Sequence, residues 1–335
     1  MAIVTNTATT YTGATIREDL SDVIYNIAPM DTPFLSGCGK GKAEATLFEW
    51  QIDTIAAGSA NRQLEGDDSP AVSVATSSQQ PTKLTNYTQI SRAVNITSGT
   101  DEVVNYAGRG KAQAYQLAKA GKRMKRDMEF MLTQNIVKAV GSTSGARATA
   151  GLPTWLSTGF VDGGSGSSAT AGSLGTTLLV NAGALVAATE ANIKAVIKAC
   201  FDAGGQPDMI LVPSVVKQTI SGLASVGSGS VSLGIPPRHS VGSGPATAVA
   251  AVDVYVSDFG TFKIVPDRNL ATDGPSSVAA NAFFLDMDFW AINWLRPWHT
   301  ELMAKTGDSI KQMLIAEYGL VSRNEKSSGI LASVK

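Results

Sequence analysis

Residues 47–55, LFEWQIDTI, alternate without a break. Phe48, Trp50 and Ile52 fall on one side and Glu49, Gln51 and Asp53 on the other, the period-two pattern of a half-buried strand. A second alternation, TQISRAVNIT at residues 88–97, sets Ile90, Val94 and Ile96 against Ser91, Ala93 and Asn95. The polar run between them, residues 56–84, is far beyond the two to five residues of an ordinary hairpin turn. A hairpin drawn out that far is marginal by itself. Loops of this length are functional, disordered or held by a neighbour.

A long helix is expected next. Ser98 or Thr100 can cap it, Asp101 and Glu102 suit its first turn, and the pattern carries on to about Val140, roughly 60 Å at 1.5 Å per residue. Gly108 and Gly110 are its weak points. At 100° per residue Ala114, Leu117, Gly121, Met124, Met128 and Met131 line one face, while Lys119, Lys122, Arg123 and Arg126 line the other. That basic stripe suggests a DNA-reading helix, but it also fits the solvated back of a beam. Arg123 with Asp127 and Lys125 with Glu129 stand at i, i+4 and can partly neutralise it.

The remaining segments divide by pattern. Residues 1–45 begin helix-like and break at Pro29 and Pro33 into an extended, Gly-rich arm in which Phe34 has no local partner. Residues 141–177 are rich in Gly and Ser and read as a linker pinned by other subunits. Then TEANIKAVIKACFDAGGQPDMILVP reads as a helix capped by Thr189, with Ile193, Val196, Ile197 and Cys200 on one face, then a glycine stop and a buried strand. A second helix follows in SVVKQTISGLAS, a hairpin turning near Asp258–Thr261, and strands to the C-terminus.

Composition excludes several roles. With 335 residues, 44% of them hydrophobic, the chain can bury a sizeable core. Its 27 basic and 28 acidic residues leave a net charge of −1, so there is no overall field to draw nucleic acid. Two cysteines, Cys38 and Cys200, lack the spacing of a disulfide framework. No apolar run reaches the length of a spanning helix, and the N-terminus lacks a secretory layout. No membrane role is expected.

Catalytic signatures fail on mechanics. SGCGKGKA lacks the spacing and the hydroxyl of a phosphate loop. GGSGSS has no preceding strand or following acid to make a dinucleotide fingerprint, and no serine sits in a nucleophile elbow. His239 and His299 lack partners at metal-ligand spacing. Glu65, Asp67 and Asp68 in EGDD, and Asp286 and Asp288 in LDMD, match no calcium loop. The sequence therefore offers no catalytic residue, cofactor or metal site.

One family unites these parts. REDLSDVIYNIAPMDTPF, EWQID, NYTQISRAVNITSGTDEVVNYAGRGKAQAYQLAK and KRDME near the start, with LRPW, MAKTGD and IAEYGLVSRNEKSSGI near the end, resemble the major capsid proteins of tailed bacteriophages. The middle, residues 141–280, is similar in architecture alone. The resemblance implies an α+β fold: an N-terminal arm (1–45), an extended β-hairpin loop (46–97), a peripheral domain (98–188) with a spine helix at about 101–140, an axial α/β domain (189–290), and C-terminal strands (291–335) returning to the peripheral domain.

It also implies a function, that of pentamers and hexamers forming an icosahedral shell around double-stranded DNA. The partners implied are further copies of the chain, portal and decoration proteins, and DNA held by unspecific contact. The chain would be made in the host cytoplasm and reside in the virion, with no long scaffolding segment expected ahead of the arm. Intersubunit contacts are expected at Pro29, Pro33, Phe34, Phe48, Trp50, Ile52, Glu65, Asp67 and Asp68, and the basic stripe should face a neighbour or the interior. An encapsulin-like protein compartment and a cytoplasmic hydrolase using Asp286 and Asp288 stay open as alternatives.

Overall fold

The computed structural model describes residues 31–53, 58, 60, 62, 65–66, 81–104, 106, 110–165, 169–223, 252–270 and 280–334. Pro29, Asp67, Asp68 and His239 lie outside them. Two sheets carry the fold. The first has four strands in the order β1 (Gly39–Lys42), β10 (Trp290–Leu302), β11 (Ser309–Ser322) and β4 (Gln89–Ser98). Its centre is the long antiparallel pair β10–β11, where Trp290 faces Ser322 and Leu302 faces Gln312. The register slips between Trp294 and His299, around Pro297, where a proline cannot donate to the ladder.

The second sheet has six strands: β5 (Gly159–Asp162), β12 (Gly329–Ala332), β9 (Ala282–Leu285), β6 (Met209–Val212), β8 (Gly260–Pro266) and β7 (Val254–Ser257). Strands β6, β9 and β12 are buried on both faces, as their unbroken apolar runs require. Helices α3 (Glu190–Asp202) and α4 (Ser214–Leu223) cover one face, that of Ile210, Val212 and Phe284, while the other, that of Leu211, Phe283 and Ile330, packs on the core around Met128, Leu132 and Trp155. Thr189 caps α3 by accepting from Asn192 N at 3.2 Å. Ile193, Val196, Ile197 and Cys200 form its buried face, as the periodicity predicts. The approach is close enough to require glycine at 329, where a Cβ would lie 2.7 Å from both Cys200 Sγ and Val196 Cγ1. The hairpin at 258–261 is present as β7–β8.

Chain order and sheet membership cross the expected segment limits. β12 joins the six-stranded sheet, whereas β10 and β11 belong to the other. β5, from the Gly- and Ser-rich region, also lies in the larger sheet, so that region is no loose linker. Ala150, Leu152, Trp155 and Leu156 are buried in the core. Asn135 holds the stretch in both directions, donating to Leu179 O at 2.6 Å and accepting from Leu179 N at 3.0 Å. The pinning is done by the chain itself.

The spine helix is shorter than its sequence pattern suggests. Helix α2 runs Ala112–Thr133, and Gly99–Glu102 forms a separate 3-10 turn. Gly110 adopts φ +57°, a left-handed conformation that ends helical continuity. Asp101 acts from eleven residues upstream: its carboxylate accepts from Ala112 N at 3.3 Å and Gln113 N at 3.0 Å, capping the helix it was expected to begin. At the other end Gln134 turns to extended backbone at ψ 154°. Met124 and Met128 are buried as expected, but Ala114 is exposed and Ala120 takes a place on the inner face.

Candidate functional site

The sequence points to three surfaces: the base of the long loop, the root of the arm, and the basic stripe. The loop base is a two-stranded sheet of β2 (Leu47–Ile52) and β3 (Thr82–Tyr87). Phe48 stacks on Trp50 with ring centres 5.8 Å apart, and Trp50 lies 5.5 Å from Trp155. The indole N–H of Trp50 donates to Ser322 O at 2.8 Å. Phe48 is buried against Ala43, Ala291 and Val321, and Ile52 packs on the main core. These three side chains were expected to lie across an adjacent subunit. Within the single chain they pack on its own core, Phe48 buried and Trp50 and Ile52 half-buried. Gly319 makes room: a Cβ there would come 2.4 Å from Phe48 Cε1.

Lys138, absent from the sequence reading, completes the anchor. Its ammonium donates to Thr85 O and Thr85 Oγ1, both at 2.9 Å, and burial lowers its pKa. Glu49 and Lys83 form an ion pair across the hairpin at 2.6 Å. Glu65 is exposed in a turn.

At the arm root, Pro33 and Phe34 do not form an extended strap. Pro33 starts a short helix, α1 (Pro33–Gly37), as its fixed φ favours at a first helical position. Phe34 is fully buried, edge-on to Trp290 at 5.9 Å. Glu129, expected on the surface opposite Lys125, is buried instead: its two oxygens accept from Phe34 N at 2.8 Å and Leu35 N at 2.6 Å. Only the Arg123–Asp127 member of the predicted pairs forms, at 3.5 Å.

All four stripe residues, Lys119, Lys122, Arg123 and Arg126, are exposed on the outer side of α2. The inner side packs on β11, with Met124 against Leu314 and Ala316. This contact also settles the polarity of β4. The small and polar face of Ser91, Ala93 and Asn95 lies half-buried under α2, because only small side chains let the helix approach. Ile90, Val94 and Ile96 therefore point outward, 45%, 43% and 60% exposed. Alternation had shown two faces without showing which one met the core.

Among the described residues, those weighed for chemistry hold structural or surface places. Asp286 caps a 3-10 turn, its carboxylate accepting from Asp288 N at 3.3 Å. His299 Nε2 lies 3.1 Å from Glu301 at the surface. Among the described residues no group of three His, Cys, Asp or Glu side chains could hold a metal ion, and no helix is long and apolar enough to cross a membrane.

Two sheets, a beam helix on one of them and a hairpin anchored at its base make up the fold shared by phage capsid and encapsulin chains. Among solved structures, the capsid of cyanophage A-1(L) covers 98% of this chain and 99% of its own, with a TM-score of 0.62 at 14% identity. The holo-SrpI encapsulin complex from Synechococcus elongatus covers 95% and 93%, with a TM-score of 0.54 at 9% identity. The chain belongs to the SU10 major capsid protein family, whose model matches residues 3–335. The major capsid protein of Escherichia phage Phieco32 is 28% identical over 337 residues, covering 91% of this chain and 90% of the relative. The protein is thus a phage major capsid protein, a structural component of the virion and not an enzyme.

Proposed function

We propose that this chain assembles as pentamers and hexamers into an icosahedral shell enclosing double-stranded DNA. The observation that carries the reading is the outward apolar face of β4. This strand of ten residues, Gln89–Ser98, stands at the edge of its sheet with Ile90, Val94 and Ile96 exposed. A long apolar edge is a hazard in a monomer and a natural contact in an assembly. On this reading the four-stranded sheet with α2 is the peripheral domain, the six-stranded sheet with α3 and α4 the axial domain, and the β2–β3 hairpin the root of the extended loop.

Portal and decoration proteins join the same shell, and packaged DNA meets it through unspecific contacts. The protein is made in the host cytoplasm before assembly. Electron microscopy of particles purified from infected cells, with a gel for nucleic acid, tests the reading. Closed shells containing DNA are expected. Discrete monomers would overturn the shell, and protein cargo in place of DNA would favour a compartment.

A further inference from the structure

Three parts of the chain meet at a buried pair of carboxyl groups: the arm root (Asp31–Gly37), helix α2 through Glu129, and the turn after β8 through Asp267. Glu129 is fully buried and Asp267 is 1% exposed. Both Glu129 oxygens are occupied by the amides of Phe34 and Leu35. Asp267 Oδ1 accepts from Asn269 N at 2.8 Å and Asn269 Nδ2 at 2.9 Å, and Asn269 Nδ2 also reaches Asp31 O at 3.4 Å.

That leaves Asp267 Oδ2 buried without a donor, although the two carboxyl groups are in side-chain contact. Two ionised carboxylates offer only acceptors, so they can bond to one another only if a proton lies between them. An orphaned, buried oxygen against a second acid is thus accounted for by one shared proton.

We propose that Glu129 and Asp267 hold a single proton in common, and that this proton latches the arm root to the beam helix and to the six-stranded domain. Other charged groups facing the pair are few. Cys38, on the same side as α1, is buried, and its thiol is held well above its ordinary pKa by burial and by Glu129. Asp31 adds negative charge near Asp267. Arg268 turns to the surface, 3.9 Å from Asp31, with both side chains largely exposed, so it does not neutralise the pair. Burial first, and the neighbouring Asp267 charge second, push Glu129 up to about 8. The proton belongs to the pair and not to one residue.

The direction of the pH effect follows. An acid whose pKa is raised in the folded state stabilises that state fully below its unfolded pKa and loses this as pH rises through the folded value. Opening the joint releases the proton, so opening becomes favoured about tenfold per pH unit between roughly pH 5 and 8, and levels off above about 8. The latch is firm in mild acid and weak in mild base, whether or not the chain is part of a shell.

The test uses the purified unassembled chain. Urea unfolding from pH 5.5 to 8.5 is compared for the wild type, Glu129→Gln and Asp267→Asn. The wild type is expected to lose stability with rising pH relative to Glu129→Gln, which carries no titrating proton at the joint, and Asp267→Asn to show a smaller slope. Parallel profiles for all three would overturn the proposal. Should either variant fail to fold, infrared difference spectra of the wild type decide the matter. A protonated, buried carboxyl band present at pH 6 and lost by pH 9 supports the latch, and its absence at pH 6 defeats it.

Discussion

Trp50, in the first strand of the loop hairpin, donates its indole N–H across 272 positions of sequence to the carbonyl of Ser322, 2.8 Å away. Ser322 is 1% exposed, so water cannot replace the donor. Trp50→Phe keeps most of the ring contact and orphans that carbonyl, which should cost about 1–2 kcal/mol. Trp50→Ala also opens a cavity against Phe48 and Trp155 and should cost about 3–5 kcal/mol. Denaturant unfolding of the unassembled chain measures both. A loss seen only in assembled particles would show that the ring is buried by a neighbour after all.

Glu317 joins segments that the sequence keeps far apart. Its side chain, 4% exposed, meets Arg147 Nη2 at 2.5 Å and Arg296 Nε at 2.9 Å, and accepts from Thr88 Oγ1 at 2.8 Å. Glu317→Gln removes the charge that both guanidinium groups share. Loss of one partner of a buried ion pair costs about 3–5 kcal/mol. Both arginines are partly solvated, so about 2–3 kcal/mol is expected here, a value below the fully buried case. Arg147→Ala and Arg296→Ala should each cost less, and a double-mutant cycle with Glu317→Gln should show coupling. Strict additivity would mean that the contacts are incidental.

Sequence pattern revealed the elements that obey one period and bury one face. Helix α3 was legible to its cap and its four core residues, since Thr189 and the spacing of Ile193, Val196, Ile197 and Cys200 are local signals. The limits of α2 were not, because Asp101 caps it across a loop and only the three-dimensional path brings the carboxylate to Ala112 N. The apolar face of β4 was visible and its direction was not, since alternation is silent on which side a helix will cover. Glu129 looked like half of a surface i, i+4 pair. Its true partners, the amides of Phe34 and Leu35, are 95 and 94 positions away. The Gly- and Ser-rich run after α2 read as a linker because its anchors, Trp155 and the Asn135–Leu179 pair, are single residues that composition averages away.

The base of the long loop is secured by Trp50, Phe48 and Lys138. Removing residues 65–70, including the exposed Glu65, should therefore leave the fold and the unfolding midpoint of the isolated chain nearly unchanged. The tip's expected role is contact with neighbouring copies, so the shortened chain should stay soluble and form no shells. Sedimentation and electron microscopy report both properties together. Normal particles from the shortened chain would remove the loop tip from assembly.

The basic stripe can be tested apart from folding. Lys119, Lys122, Arg123 and Arg126 are exposed, and Arg123 alone of the four has an ion-pair partner among the described residues, Asp127. Lys122→Glu with Arg126→Glu should therefore shift unfolding by no more than about 0.5 kcal/mol, as for ordinary surface changes. If the stripe meets acidic loop residues of a neighbour, with Glu65, Asp67 and Asp68 the candidates, the same variant should fail to assemble in the absence of DNA. Reversing the acidic partners to lysine should then restore shells, because like charges across a contact repel and restored pairs attract. If the stripe faces packaged DNA, empty shells should form at normal yield, and only DNA retention should fall, with a reduced salt dependence. The intersubunit pairing is the outcome expected, since lateral contacts need specificity that a phosphate surface does not demand. Empty shells at full yield from the charge-reversed chain would reject it.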